Sequence, residues 1–314
     1  MMQSWLRVMF SSRVRGWHFI VSLVAIAAGG VLLAIFWNRA TPLDATAMTA
    51  YLPKREAAVL YLDVRAVRDS GVLDKIVGSV QGEEAEYTQF LKGTGFDYKR
   101  DLDRVLLSSA ESLHQMLLQG RFKWDKLEEY AKQNGGSCAN RYCSLPGSSP
   151  GRVVSFHKLG ANLMALSSGF SDRQVREIVP RKAEPLPFAV PDKPVWVYLP
   201  ASAIRNTAGM PSGTRLFAKA LENAEYAVAT LGPEGQNFDL AMNIACRSQE
   251  DAATLRAQLE GITGMLNKFI NREKQTPNAA DFSGILTAGT FQREQATVVA
   301  HWPIQQAFFN KLAN

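Results

Sequence analysis

The stretch from Phe19 to Trp37, FIVSLVAIAAGGVLLAIFW, contains no charged residue and no proline. At about 1.5 Å rise per residue, a helix of this length nearly spans a hydrocarbon core of roughly 30 Å. Helical structure also satisfies every backbone polar group internally, as lipid requires. The pattern predicts a transmembrane helix over 17–37. Phe19 opens its apolar run, and Trp17 and Trp37 stand at the two ends, where indole rings favour the membrane interface. Arg7, Arg13 and Arg15 precede the segment, whereas only Arg39 follows it closely, with Asp44 soon after. By the positive-inside rule these three arginines set topology: a basic flank over 1–16 stays in the cytoplasm and the bulk of the chain is exported. Trp5, Leu6, Val8, Met9 and Phe10 leave open a short amphipathic helix in that flank. A cleaved signal peptide has a shorter apolar region with a small-residue site directly after it. Here the run ends in Phe36-Trp37-Asn38-Arg39, and the nearest small-x-small triplet, Ala45-Thr46-Ala47, lies well downstream. A signal-anchor is therefore expected.

The 314 residues are 46% hydrophobic and 20% charged, enough to bury one large core or two ordinary ones. The formal net charge is +6, and half of it falls in the first 50 residues, where four arginines stand against one aspartate. The remaining charges mix both signs, unlike the concentrated basic stripe of a nucleic-acid binder, so no nucleic-acid partner is expected.

Residues 38–54 read as a tether bearing Pro42 and Pro53. A second break, 181–194, holds Pro185, Pro187, Pro191 and Pro194 and reads as a linker or an edge-hugging crossover. It separates a first segment, 55–180, from a second, 195–314. Each segment opens on an apolar strand, AAVLYLDV or PVWVYLP, followed by a short helical pattern. Strand pairs come next, over 103–122 and 225–246, the second turning at Gly232-Pro233-Glu234-Gly235. Helices follow over 124–134 and 248–272, the latter beginning at Ser248 and Asp251 in a weak capping box. Further strands over 152–168 and 284–302 lead to short helices over 171–179 and 304–313. The shared order β-α-β-β-α-β-β-α predicts an α+β fold: two similar antiparallel-sheet domains of ferredoxin-like, split β-α-β type.

Cys138 and Cys143 lie in the Gly-, Ser- and Asn-rich stretch NGGSCANRYCSLPGSSPG. In an oxidising compartment they can close a small disulfide loop; free thiols and a metal site are the alternatives, the last lacking companion ligands. Cys246, at the end of an apolar strand, reads as a buried small hydrophobe. His18, His114, His157 and His301 fall in no ligand pattern. Asp97, Asp101 and Asp103 are the densest carboxylates, but Lys99, Arg100 and Arg104 neutralise them, and they read as turn and helix-start acids. No nucleophile elbow, phosphate loop or dinucleotide fingerprint is present. No catalytic, metal or cofactor site is expected.

At GFDYKRDLDRV, VLYLDVRAVRDSG and GRFKWDKL the sequence resembles bacterial single-pass envelope proteins of unknown function that carry a duplicated extracytoplasmic α+β domain. The resemblance implies a periplasmic body held at the inner (cytoplasmic) membrane, and it defines no catalytic residues to carry over. The expected function is a non-enzymatic scaffold or protein-interaction component with a protein partner or self-association. An anchored envelope hydrolase and a module binding a lipid or other apolar ligand between two sheets are the alternatives. The topology is testable. Protease added outside spheroplasts is expected to digest the chain beyond residue 54 and to spare an epitope tag at the N-terminus; loss of the tag would reverse the assigned direction.

Overall fold

A computed structural model describes residues 42–53, 56–73, 85–110, 112–181, 186–205, 217, 219–235 and 237–312. The expected membrane helix over 17–37, with Trp17, Phe19, Trp37, Arg7, Arg13 and Arg15, lies outside the described residues. Among the described residues no helix is long and apolar enough to cross a membrane. Residues from Leu43 onward form one compact unit. Where the sequence pattern reads as a tether, the structure has a helix, α1 (Ala45–Thr49), capped by Asp44 and burying Met48 completely. Leu43, Ala45, Tyr51 and Leu52 pack on the same cluster, so this stretch belongs to the core because its apolar side chains have a sheet to cover.

The first half runs β1 (Ala58–Asp63), α2 (Val64–Asp69), α3 (Ala85–Thr94), α4 (Tyr98–Asp101), β2 (Leu102–Ala110), β3 (Leu113–Gly120) and α5 (Trp124–Gln133). It continues with β4 (Ser137–Ala139), β5 (Tyr142–Pro146), β6 (Val153–Lys158), β7 (Leu163–Gly169) and a 3-10 helix at Asp172–Glu177. The second half has β8 (Val195–Pro200), α6 (Ala201–Arg205), a 3-10 turn at Leu221–Asn223, β9 (Ala224–Glu234) and β10 (Asn237–Cys246). It ends with α7 (Gln249–Arg272), α8 (Phe282–Thr287), β11 (Thr290–Glu294), β12 (Thr297–Ile304) and α9 (Gln306–Leu312).

All of the strands among the described residues join a single 12-stranded sheet in the order β11-β12-β10-β9-β8-β1-β2-β3-β7-β6-β5-β4, with every neighbouring pair antiparallel. The α+β class and the antiparallel sheet are as expected. The ferredoxin-like topology is not. A split β-α-β unit holds its first strand parallel to the strand after the helix, with another strand between them. Here β1 pairs β2 directly and antiparallel, Asp63 opposite Arg104. The helical connection leaves and re-enters the sheet at the same end, so no crossover is made. The second half does the same, with Pro200 opposite Tyr226 between β8 and β9. Both halves therefore read outward from the centre in one order, β1-β2-β3-β7-β6 and β8-β9-β10-β12-β11.

Register decides which residues share a face. Trp196, Tyr61, Leu106, Leu117 and Ala165 lie opposite one another across five strands and are all buried. They form the core of one face with Met48 of α1, Val175 of the 3-10 helix and Ile178. The crossover 186–194 seals its edge: Phe188 meets Trp196 edge-on and stacks on Tyr198 at 4.9 Å. Beyond the seam the same row continues as Thr230, Ala241 and His301, none of them buried. The opposite face is covered at both ends. Leu127 and Ala131 of α5 lie over Cys143, Phe156 and Met164, while α7 sets Leu255 and Leu259 over Ala227, Ile244 and Val298. Helix α7 starts where the sequence indicates, with Ser248 Oγ accepting from the Asp251 amide at 3.0 Å.

Two local elements depart from the sequence pattern. Residues 284–287, expected as strand, form the end of α8, because Asp281 caps Ser283 N at 2.8 Å and starts a helix. Strand β11 begins only after Gly289, where Trp302 and Phe291 leave no room for a Cβ. The loop around the cysteines is instead a hairpin, β4–β5, in which Cys138 lies directly opposite Cys143 and the two form a disulfide. Asn140 and Arg141 make its two-residue turn with φ of 51° and 68°, the positive pair of a type I′ turn. Asparagine suits that geometry and arginine does not. Arg141→Gly is expected to stabilise the oxidised protein by about 0.5–1 kcal/mol, read as a rise in thermal midpoint; an unchanged or lower midpoint would count against a strained turn.

Candidate functional site

The polar groups that sequence inspection singles out are largely engaged in holding backbone ends. Asp97 caps α4, its Oδ1 accepting from Lys99 N at 3.0 Å and from the Tyr87 hydroxyl at 3.1 Å. Asp101 is buried and accepts from Asp97 N at 3.0 Å, from Arg100 at 3.0 and 3.2 Å, and from Arg121 Nε at 3.4 Å. The Arg100 hydrogen bonds lead the effects that hold its carboxyl down at about 2. Asp97 and Asp101 are thus the helix-start acids expected from the sequence, whereas Asp103 lies within β2. No group of three or more potential metal ligands exists among the described residues.

At the seam between the halves, Asp63 at the end of β1 caps α2 through Ala66 N at 2.9 Å and pairs Arg104 Nε at 3.1 Å. Arg104 also donates to Leu43 O and Gln119 Oε1, both at 3.2 Å. Burial opposes the Arg104 charge, yet the adjacent Asp63 carboxylate raises its pKa above the ordinary value. Burial, then Asp63, pushes the Tyr61 hydroxyl upward as well, and its ring stacks on Trp196 at 5.6 Å. A cavity of about 590 Å³ opens beside this cluster, lined by α2, the ends of β1, β8 and β9, and the crossover.

The histidines are dispersed. His114 Nδ1 lies 2.9 Å from Ser109 Oγ, and His301 Nδ1 lies 2.9 Å from Asp239 on the open sheet face. Burial, then Arg141 and Arg176, lowers the pKa of His157. Burial raises the Cys246 thiol, which is free and enclosed. Two features escape inspection of the sequence. Ser108, Gln115, Ser167 and Ser155 form a buried polar row across four strands; the alternation that usually sends such residues to water here turns them under the 3-10 helix. Gln115 Nε2 donates to Gln174 O at 2.8 Å, and the hydroxyls of Ser155 and Ser167 meet at 3.2 Å. The other is the outer flank of α7, where Met265 and Phe269 are 51% and 64% exposed, one turn apart.

The fold thus defines an α+β protein with one large antiparallel sheet. No protein-family model and no curated protein matches the chain. Among solved structures, crystal form I of TP0453 aligns with 87% of this chain and 97% of its own, at 10% identity and a TM-score of 0.47. Crystal form III aligns with 86% and 98%, at 9% identity and a TM-score of 0.45. At that level neither fold detail nor activity transfers.

The Asp101 cluster has a pH signature. Its folded pKa of about 2 lies below the ordinary carboxylate value of 3.8, so its contribution to stability is present above about pH 4 and lost as pH falls through about 2. Because both arginines are largely exposed, that contribution is roughly 1–2 kcal/mol. Urea midpoints of wild type and Asp101→Asn are expected to differ at neutral pH and to converge at about pH 2; a constant gap would show that the carboxylate's ionisation is not the cause.

Proposed function

We propose that this chain is a membrane-anchored, extracytoplasmic envelope protein that works by contacting another protein, without catalysis. The observation that carries this is the α7 flank. Leu255 and Leu259 are buried on the sheet, while further along the helix Ile262 and Leu266 are half-covered and Met265 and Phe269 face solvent. Neighbouring large apolar side chains left in water mark contact surfaces, where Met and Phe are enriched. Lys268 and Arg272 supply a charged rim beside them. The polar groups at the seam and at Asp101 support a non-catalytic role, since caps and ion pairs already occupy them.

The Cys138–Cys143 bridge supports an oxidising compartment, in line with the outward topology that Arg7, Arg13 and Arg15 imply. The common strand order of the two halves supports descent from a duplicated unit, which is part of the same proposal. A photo-crosslinking residue at position 265, in the native membrane, tests the contact. A discrete adduct with a different envelope protein is expected. Phe269→Asp should remove that adduct while shifting stability by no more than about 0.5 kcal/mol, as exposed substitutions do. Self-adducts only, or adducts indifferent to Phe269, would rule the reading out.

A further inference from the structure

The cavity at the seam has a wall and a rim of different chemistry. Leu62, Val195 and Leu231 lie opposite one another across β1, β8 and β9 and form its floor. Val67 of α2, Val72, Phe238 and the prolines of the crossover add to the apolar lining. Both halves of the sheet contribute, so the site exists only because the β1–β8 pairing joins them. At about 590 Å³ it lies within the usual size of ligand sites.

Three charged groups of its lining, Asp44, Asp63 and Arg104, have their partners inside the protein. Asp44 accepts from Ala47 N at 2.7 Å, Asp63 from Ala66 N and Arg104, and Arg104 is further held by Leu43 O and Gln119. Lys193 lies at the mouth with its stem over Gly232, where a Cβ would stand 2.9 Å from its Cδ; its charge and that of the exposed Asp192 stay at the solvent edge. A peptide or sugar entering such a space would bury polar groups with nothing to bond them. An alkyl chain loses no hydrogen bonds and gains apolar contact along its length.

We propose that this cavity binds one aliphatic chain, entering tail-first against Leu62, Val195 and Leu231, with its polar head left at the mouth beside Lys193. The chain can come from a free fatty acid or from a single-chain membrane lipid, and the site goes beyond the partner contact on α7. The probe is palmitate carrying a photoactivatable diazirine near its methyl end, added to the full-length protein in native membrane vesicles, with adducts mapped by peptide mass spectrometry. Adducts are expected on peptides containing Leu62–Val72, Val195 and Leu231–Phe238. Ala66→Trp, at an exposed position on the cavity lip, is expected to reduce them at least tenfold without altering thermal stability, and Leu231→Trp should do so by filling the floor. Excess palmitate displacing the probe identifies a free acid, and displacement by lysophosphatidylcholine identifies a lipid-borne chain. Displacement by cholesterol alone, adducts unaffected by Ala66→Trp, or no adducts on these peptides would overturn the proposal.

Discussion

Four residue pairs, from Val59 opposite Tyr198 to Leu62 opposite Val195, join two half-sheets along β1 and β8. Without that ladder each half would present a long unpaired edge rich in aliphatic and aromatic residues, an invitation to aggregation. With it, Trp196 is fully buried against Tyr61 and Phe188, a contact of the kind whose loss costs about 3–5 kcal/mol. The remaining outer edges are blunted. Strand β4 has three residues tied to β5 by the disulfide, and β11 reads Thr-Phe-Gln-Arg-Glu.

The same seam organises the polar chemistry. Because β1 and β2 are antiparallel neighbours, Asp63 and Arg104 fall opposite each other and close an ion pair next to the α2 cap. The pair is partly buried and draws in Leu43, Gln119 and the Tyr61 hydroxyl. These charged groups thus serve as local fasteners. The cavity beside them is left to its aliphatic walls. The second set of fasteners, around Asp101, ties α4 to β2 and to the turn after β3, where Arg121 N donates to Asp101 O at 2.7 Å.

Much of the architecture was legible from local pattern. Apolar runs bounded by proline and turn residues located most strands, and a 24-residue amphipathic run with Ser248 before it located α7. These succeed because side-chain periodicity and capping act within a few residues. The hairpin around Asn140 and Arg141 was missed because its turn places arginine where glycine is the usual signal. Helix α8 was missed because Ile285 and Leu286 next to Thr287 suit a strand as well as a helix, and the Asp281 cap decided between them. The tether was misjudged in part: Ala45, Met48 and Leu52 recur at helical spacing over too short a run to signal a buried helix, and only the sheet beneath gives Met48 somewhere to be buried.

From the residues alone came the α+β class, the two half-chains with their common element order, the candidate membrane helix, and a pair of cysteines spaced for a bridge. Only the tertiary structure decided that the halves share one sheet, since pairing β1 to β8 joins residues more than 130 positions apart and no local pattern encodes it. That long-range pairing also determines which alternate residues turn inward. It buries Trp196 yet leaves Thr230 beside it open, and it assembles a cavity from Leu62, Val195 and Leu231, which the sequence keeps far apart.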